Sequence, residues 1–458
     1  MKIKAFDAVD MTVGVPWKQI LKFTVPMLLG HVVQQLYSTV DSIVVGRYVG
    51  DNALAAVGSA APIFNLLLVL FIGISMGATI MVAQYLGARD RNALSWTIGN
   101  CFTLIFIASI AMTVIGVAIT RPMLVLLRTP DSILDWCSNY LIILFLGSIG
   151  LGFYNILSGV LRGMGDAVSA LIYLIVASVI NIILDILFVA AFKMGVSGVA
   201  LATIIAQGIS AILCINRLRK MSDVFDFGFN YFKWDGHYAG QIIRLGFPSG
   251  ITQAIFSMSI VLVQSLTNSF GEQLIAANVI VQRVDGFAVL PIFSFGAALT
   301  TFAGQNIGAG DRERVEKGSR QGLMMSLLFS ALIVAIILTF GRGLMMIFTT
   351  TPELVDLGMH IMRILAFGYI LMAIIQALTG VMRGAGDTVT PMWISIIETF
   401  FLRMPLAYLM VYLSRTEANP KGNQDMIFWS LLIAWGIGAI MSIVLYRFGN
   451  WRKKGIAL

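Results

Sequence analysis

The chain has 458 residues, 58% of them hydrophobic and only 12% charged, with a mean hydropathy of +0.88. Soluble domains carry about 25% charged residues, so a soluble enzyme or binding domain is excluded. The formal net charge of +8 raises the question of an acidic partner such as nucleic acid. The placement of the cations answers it differently.

Apolar runs such as "CFTLIFIASIAMTVIGVAI" (101–119) and "LIYLIVASVINIILDILFVAAF" (171–192) match the roughly 20 residues a spanning helix needs, without strand alternation. The sequence therefore predicts an all-α polytopic membrane protein. Charged or Gly/Pro-containing punctuation separates twelve transmembrane helices. They lie at 18–46, 53–84, 94–120, 132–161, 168–192, 196–216, 239–269, 275–304, 316–341, 354–382, 388–413 and 425–448. The first apolar stretch has no small-residue cleavage site and continues as a helix, so no cleavable signal peptide is expected. With the N-terminus in the cytoplasm, 21 Lys and Arg fall on that side, including Lys2 and Lys4, and 7 on the other. Only Arg283, Arg363 and Arg403 fall within helices. The positive-inside rule accounts for this excess without nucleic acid and places both termini in the cytoplasm of a cell inner-membrane protein.

Four pairs of segments repeat along the chain. "VAQYLGARDR" (82–91) matches "AGQNIGAGDR" (303–312), and "LSGVLRGMGD" (157–166) matches "LTGVMRGAGD" (378–387), both at an offset of 221. "GDNALAA" (50–56) matches "GEQLIAA" (271–277) at the same offset, and "ILKFTVPMLL" (20–29) pairs with "IIRLGFPSGI" (242–251) at 222. A constant offset over so much chain marks a duplication. Two pseudo-symmetric six-helix bundles are expected, 1–216 and 239–458, joined by a cytoplasmic linker at 217–238. An even helix number makes the repeat parallel, with its axis along the membrane normal. The glycine loops around Arg162 and Arg383 read either as gates or, more simply, as tight turns with a basic interface anchor.

Cys101, Cys137 and Cys214 form neither metal spacing nor a disulfide framework, and no P-loop, HExxH or GxSxG pattern appears. Neither an enzyme nor an ATPase is indicated. The chemistry instead lies in ionisable residues within helices. On the first helix His31, Gln34, Gln35, Ser38, Asp41 and Ser42 share an arc of about 120°, which must face protein or a wet cavity. Pro26 lies a little over one turn earlier, where its missing N–H allows a kink. Asp185 on the fifth helix has Asn181 one turn before it. If Asp41 and Asp185 meet, either one carboxyl must stay protonated or a cation must bind between them. Their counterparts at the repeat offset are apolar: Leu402 and Leu406, with Leu262 or Val263 opposite Asp41. The acid pair is thus confined to the first half. Glu398 with Arg403, and Arg283 with Asp285, read as structural ion pairs or as part of a substrate path. Polar residues on plausible cavity faces are Gln34, Tyr37, Asn155, Gln207, Gln253, Gln264 and Gln376.

Twelve helices in two halves, "P-x14-D" on the first helix and "N-x3-D" on the fifth resemble the MATE (multidrug and toxic compound extrusion) family. So do "ALAAVG" (53–58), "QYLGARD" (84–90), "LRGMGD" and "VSGVALAT" (196–203). The resemblance implies a MATE/MOP-type fold and efflux of organic cations and amphipathic drugs, exchanged for Na+ or H+ by alternating access, with no other cofactor. Carried over by position, it implies a cation site at Asp41, Asn181, Asp185 and Thr203, and a bending proline at Pro26. The seventh helix has Gln253 but no acid, and Ala373 stands where a tenth-helix acid is expected in the NorM-like branch. The resemblance is therefore closer to the DinF-like pattern, and the protein is expected to act as a monomer. The alternative is a lipid-linked oligosaccharide flippase of the same superfamily.

Overall fold

A bilayer core offers no water to backbone N–H and C=O groups, so a spanning segment must satisfy them within itself. The computed structural model of this chain follows that rule. It describes residues 8–417 and 419–455, except for the side chains of 260–262. Lys2 and Lys4 lie outside the described residues. The helices are α1 (Pro16–Tyr48), α2 (Asp51–Ala88), α3 (Arg91–Leu126), α4 (Asp131–Leu146) and α5 (Ser148–Gly163). Next come α6 (Ala167–Asp185), α7 (Gly195–Arg219), α8 (Gly236–Asn268), α9 (Glu272–Ala288) and α10 (Leu290–Gly308). The last are α11 (Arg312–Met346), α12 (Pro352–Gly384), α13 (Val389–Ile396), α14 (Met404–Leu413) and α15 (Asp425–Phe448).

Among the described residues ten segments are long and apolar enough to cross a membrane, and α4 with α5, bent by 57° at Gly147, make an eleventh. The polar stripe keeps α1 out of that set, although it is helical throughout. Among the described residues twelve helical segments are thus present where twelve were expected, but four are interrupted, the α4–α5 segment by its bend and three others. Residues Ile186–Ala191 extend α6 as a π-helix, Ile397–Arg403 form another between α13 and α14, and α9 breaks into α10 next to Pro291.

The duplication reappears in the hydrogen bonds. Thr79 Oγ1 donates to the carbonyls of Ser75 and Gly159 at 2.8 and 2.9 Å, and Thr300 Oγ1 donates to those of Gly296 and Gly380 at 2.9 and 3.0 Å. Asp166 caps α6 through the Ser169 amide at 3.0 Å, and Asp387 accepts from the Thr390 amide at 3.2 Å. The glycine before each acid, Gly165 and Gly386, has a φ of +83° and +90°, the left-handed region a side chain disfavours. Asp166 also pairs with Arg217 at 2.7 Å and Asp387 with Lys454 at 3.0 Å. These loops are therefore capped turns, but Arg162 is not an interface anchor. It turns inward to the hydroxyls of Ser158 and Ser75 at 3.2 and 3.4 Å.

The chain divides into two compact units. One runs from Val25 to Gly250 with the segment ending at Asp10; the other holds Met11–Thr24 and the chain from Ile251 on. This differs from a boundary at the linker, because two arginine forks tie the connecting segments down. In the first unit Arg91 donates to the carbonyls of Ser222 and Asp223 at 2.7 and 2.8 Å and to Asp226 at 2.6 Å. That contact holds the Asp226 carboxyl below its usual range. In the second unit Arg314 donates to the carbonyls of Met11, Val13 and Gly14. Helix α1 consequently changes unit beside Pro26, and α8 changes unit beside Pro248, its partner in the repeat.

Within each unit the closest helix contacts depend on glycine. A Cβ at Gly163 would stand 2.6 Å from the Thr79 carbonyl oxygen, and one at Gly384 would stand 2.2 Å from that of Thr300. Gly163→Ala and Gly384→Ala should each destabilise the fold by about 1–3 kcal/mol. Thermal unfolding in detergent checks this against Gly208→Ala, where no atom lies within 4 Å.

Candidate ion-binding site

Asp185 ends α6 and precedes the π turn, a distortion often found where a helix serves a site. Its side chain is fully buried, as is that of Asn181 one turn earlier. The Asp41 carboxyl on α1 lies close to that of Asp185. With the Asn181 amide oriented to match donors with acceptors, its nitrogen donates to Asp185 Oδ2 at 2.8 Å and its oxygen accepts from the Thr203 amide at 3.3 Å. Tyr37 OH lies 3.4 Å from Thr203 Oγ1. The structure thus brings Asp41, Asn181, Asp185, Thr203 and Tyr37 together from α1, α6 and α7.

Two carboxyls in contact cannot both remain charged unless a proton or cation joins them. Asp41 Oδ1 and Asp185 Oδ1 are both buried without a hydrogen-bond partner. A buried acceptor left without a donor is costly, so these two oxygens make the pair a candidate place for a positive species. The available donor atoms are carboxylate, hydroxyl and amide oxygens, a set suited to a hard monovalent cation or a proton. Among the described residues no group of three or more His, Cys, Asp or Glu is placed to hold a metal ion, so a transition-metal centre has no support here.

Tyr140 on α4 was not legible as a site residue, yet it is buried and lies near enough to Asp41, Tyr37 and Asp185 to interact with them. It lies in the apolar stretch "YLIILFL", where one aromatic gives no periodic signal. Gln207, one turn beyond Thr203, keeps a buried Oε1 without a partner. The rest of the polar stripe is open. Gln34, Ser38 and Ser42 are exposed, and the two serines bond back to their own helix. Asn155 stands apart, its amide donating to the Leu151 carbonyl at 2.8 Å.

The polar residues of the second unit form separate groups. Gln264 accepts from Asn278 and Gln282 at 3.4 Å each, Gln376 accepts from Arg383 at 3.5 Å, and Gln253 is exposed. The ion pairs Glu398–Arg403 and Arg283–Asp285 are not formed among the described residues. Asp285 instead accepts from Tyr369 OH, and Arg403 donates to Ser259 Oγ. Arg283 and Asp285 are only two residues apart on α9, which directs them to different sides.

A duplicated helical fold of membrane-spanning length defines a class of membrane transporter. The MatE family model matches residues 26–187 and again 248–409, once in each half. The chain is 30% identical to the "Probable multidrug resistance protein YoeA" of Bacillus subtilis, over 96% of this chain and 95% of that one. It is 28% identical to the "Probable multidrug resistance protein NorM" of Thermotoga maritima, over 96% and 94%. A solved MOP superfamily transporter from Pyrococcus furiosus superposes with a TM-score of 0.88 at 23% identity, over 96% and 97% of the two chains. The chain belongs to the MatE family. It is a multi-pass membrane transporter of MATE type, not an enzyme.

A positive species bound at Asp41 and Asp185 should stabilise the folded protein by mass action, by about 2.7 kcal/mol at a hundredfold excess over its dissociation constant. The unfolding midpoint in detergent should therefore rise with added Na+ or with mild acidification. In Asp41→Asn or Asp185→Asn the rise should vanish, because the pair of orphaned oxygens is broken.

Proposed function

We propose that this protein is a secondary active multidrug efflux antiporter. It exports organic cations and amphipathic compounds in exchange for Na+ or H+ by alternating access. The observation that carries the reading is the contact between Asp41 and Asp185, with one unpartnered buried oxygen on each. The printed names of the curated relatives, which are multidrug resistance and export proteins, support the substrate class. The protein acts as a monomer in the inner membrane with both termini in the cytoplasm, an orientation supported by the Lys/Arg bias.

With both acids ionised, the first unit favours a cationic drug. Na+ or H+ then binds at Asp41, Asp185, Asn181 and Thr203, removes the negative charge, and releases the drug outward. Bending at Pro26, where the main-chain donor is missing, couples the neutralised site to the drug path. For an uncharged drug exchanged one for one, the single charge moving down about 100 mV supplies about 2.3 kcal/mol, roughly a fifty-fold drug gradient. We assign the protein to the DinF-like pattern because Gln253 and the buried Ala373 stand where the NorM-like branch has acids. The flippase reading would need clustered cations. Arg162, Arg383 and Arg403 instead engage different partners, Ser158, Gln376 and Ser259.

In proteoliposomes, Asp41→Asn and Asp185→Asn should each reduce drug efflux at least about tenfold while the protein still folds, and Pro26→Ala should slow it. A Na+ gradient alone and a pH gradient alone identify the coupling ion. Efflux at the wild-type rate in either Asp variant rejects the site.

A further inference from the structure

The linker that follows α7 carries chemistry that the proposed transport cycle does not use. It is strapped along the first turns of α3. Ser95 Oγ accepts from the Asp226 amide at 2.8 Å, and Asn100 Oδ1 accepts from the Asp235 amide at 2.9 Å. Thr103 Oγ1 donates to the Phe232 carbonyl at 3.1 Å. Together with the Arg91 fork, these bonds fix the shape of the strap, which borders a pocket of about 450 Å³ in the first unit. Arg91, Arg219, Asp226, Phe227, Phe229 and Phe232 line it.

The charges of this pocket do not cancel. Arg91 is spent on Asp226 and on two carbonyls. Arg219 ends α7 and is exposed, and among the described residues its guanidinium makes neither a hydrogen bond nor an ion pair. It lies over the Phe227 ring, 5.6 Å from the ring centre, so its five N–H donors have no protein acceptor. One positive charge is left unmatched.

The spans set the depth of the pocket. Phe102 is the second residue of the apolar run 101–119 on α3, and Arg219 follows the apolar part of α7. Phe102 stacks on Phe232 at 4.7 Å and meets Phe227 edge-on at 5.7 Å. The aromatic wall thus begins where α3 becomes apolar, the level at which a bilayer passes from headgroup to acyl chain. From Phe102 the i, i+4 spacing continues along α3 through Phe106, Ile110 and Val114, each at least half exposed. Exposed apolar side chains in a row on a spanning helix suit acyl chains, not water.

We propose that this pocket binds an anionic phospholipid from the leaflet on the linker's side. Arg219 takes the phosphate, the rings of Phe227 and Phe232 cover the glycerol region, and an acyl chain follows Phe106, Ile110 and Val114. A planar guanidinium matches two phosphate oxygens at once, and a soluble anion has no use for the apolar stripe. The volume lies in the range of small-molecule sites, and the strap makes the pocket preformed. A lipid held there ties the linker to the membrane surface, independently of Asp41 and Asp185.

The test uses purified full-length protein in micelles holding equal amounts of phosphatidylglycerol and phosphatidylcholine. Native mass spectrometry counts each lipid retained per chain. Wild type should prefer phosphatidylglycerol by about fivefold, the effect of one interfacial cation. Arg219→Gln should lose that preference, and Arg219→Lys should keep most of it. Lys220→Gln removes a neighbouring charge outside the pocket and should change the preference less than about twofold. Phe106→Ala should lower retention of phosphatidylglycerol about twofold or more without changing the headgroup preference.

Equal retention of the two lipids by wild type overturns the proposal, and so does a wild-type preference in Arg219→Gln. An equal loss in Arg219→Gln and Lys220→Gln marks diffuse surface attraction and also rejects the pocket. Displacement of phosphatidylglycerol by millimolar inorganic phosphate, with Phe106→Ala behaving as wild type, assigns the pocket to a soluble phosphate and rejects the lipid. If Arg219→Gln is not monodisperse, the wild-type preference and the Phe106→Ala loss decide.

Discussion

Two carboxyls cannot share an apolar site without a third body, and the first unit is built around that constraint. Asp41 and Asp185 meet from helices far apart in sequence, and Asn181 and Thr203 bond to the rim rather than fill the gap. Among the described residues no Lys or Arg bonds to the groups gathered there. Arg162, an inward-turned arginine of this unit, is occupied with Ser75 and Ser158 instead. In the proposed reading the contact leaves a demand for positive charge that an external species meets. In the proposed cycle that demand alternates between a drug and an ion, and this alternation is what an antiporter requires.

The duplicated framework separates packing from chemistry. The threonine clamps at Thr79 and Thr300, the capping acids at Asp166 and Asp387, and the left-handed Arg89 with its counterpart Gly310 recur in both halves. These parts satisfy backbone groups and set helix spacing, so each half needs them whatever it binds. The ionisable residues obey no such requirement. They stand at different positions in the two units, which is the pattern left when a duplicated scaffold is kept and its sites diverge.

Much of this was legible from residue order. The constant repeat offset pointed to a duplicated organisation, and the polar arc around Asp41 together with "N-x3-D" picked out Asp41, Asn181 and Asp185, while Thr203 came only with the family resemblance. What escaped depends on three-dimensional contact or on non-α geometry. Tyr140 reaches the site from an apolar stretch without periodicity. The π turns at 186–191 and 397–403 have no composition signal, and they invalidate an angular count based on 100° per residue. Glu398 and Arg403 looked like an ion pair because both are charged and near in sequence. Arg403 bonds Ser259 instead, and a pairing across helices is invisible to spacing. The exchange of Met11–Thr24 between units is set by the Arg314 fork, whose acceptors are carbonyls that every sequence has.

The two proline-containing helices link these observations. Pro26 and Pro248 lie where α1 and α8 pass from one unit to the other, and a proline there removes one main-chain bond at the point of passage. On α1 the polar stripe begins about one turn later and runs to Asp41 and Ser42, Asp41 being the acid proposed to exchange ions. On α8 the corresponding turns lead to Ser259, held by Arg403. A helix whose site gains and loses charge has reason to bend at its proline during each cycle. One whose partner is a fixed guanidinium has a constant electrostatic environment and no comparable drive. The same hinge chemistry is therefore present in both halves, but the energy to work it is available mainly in the first.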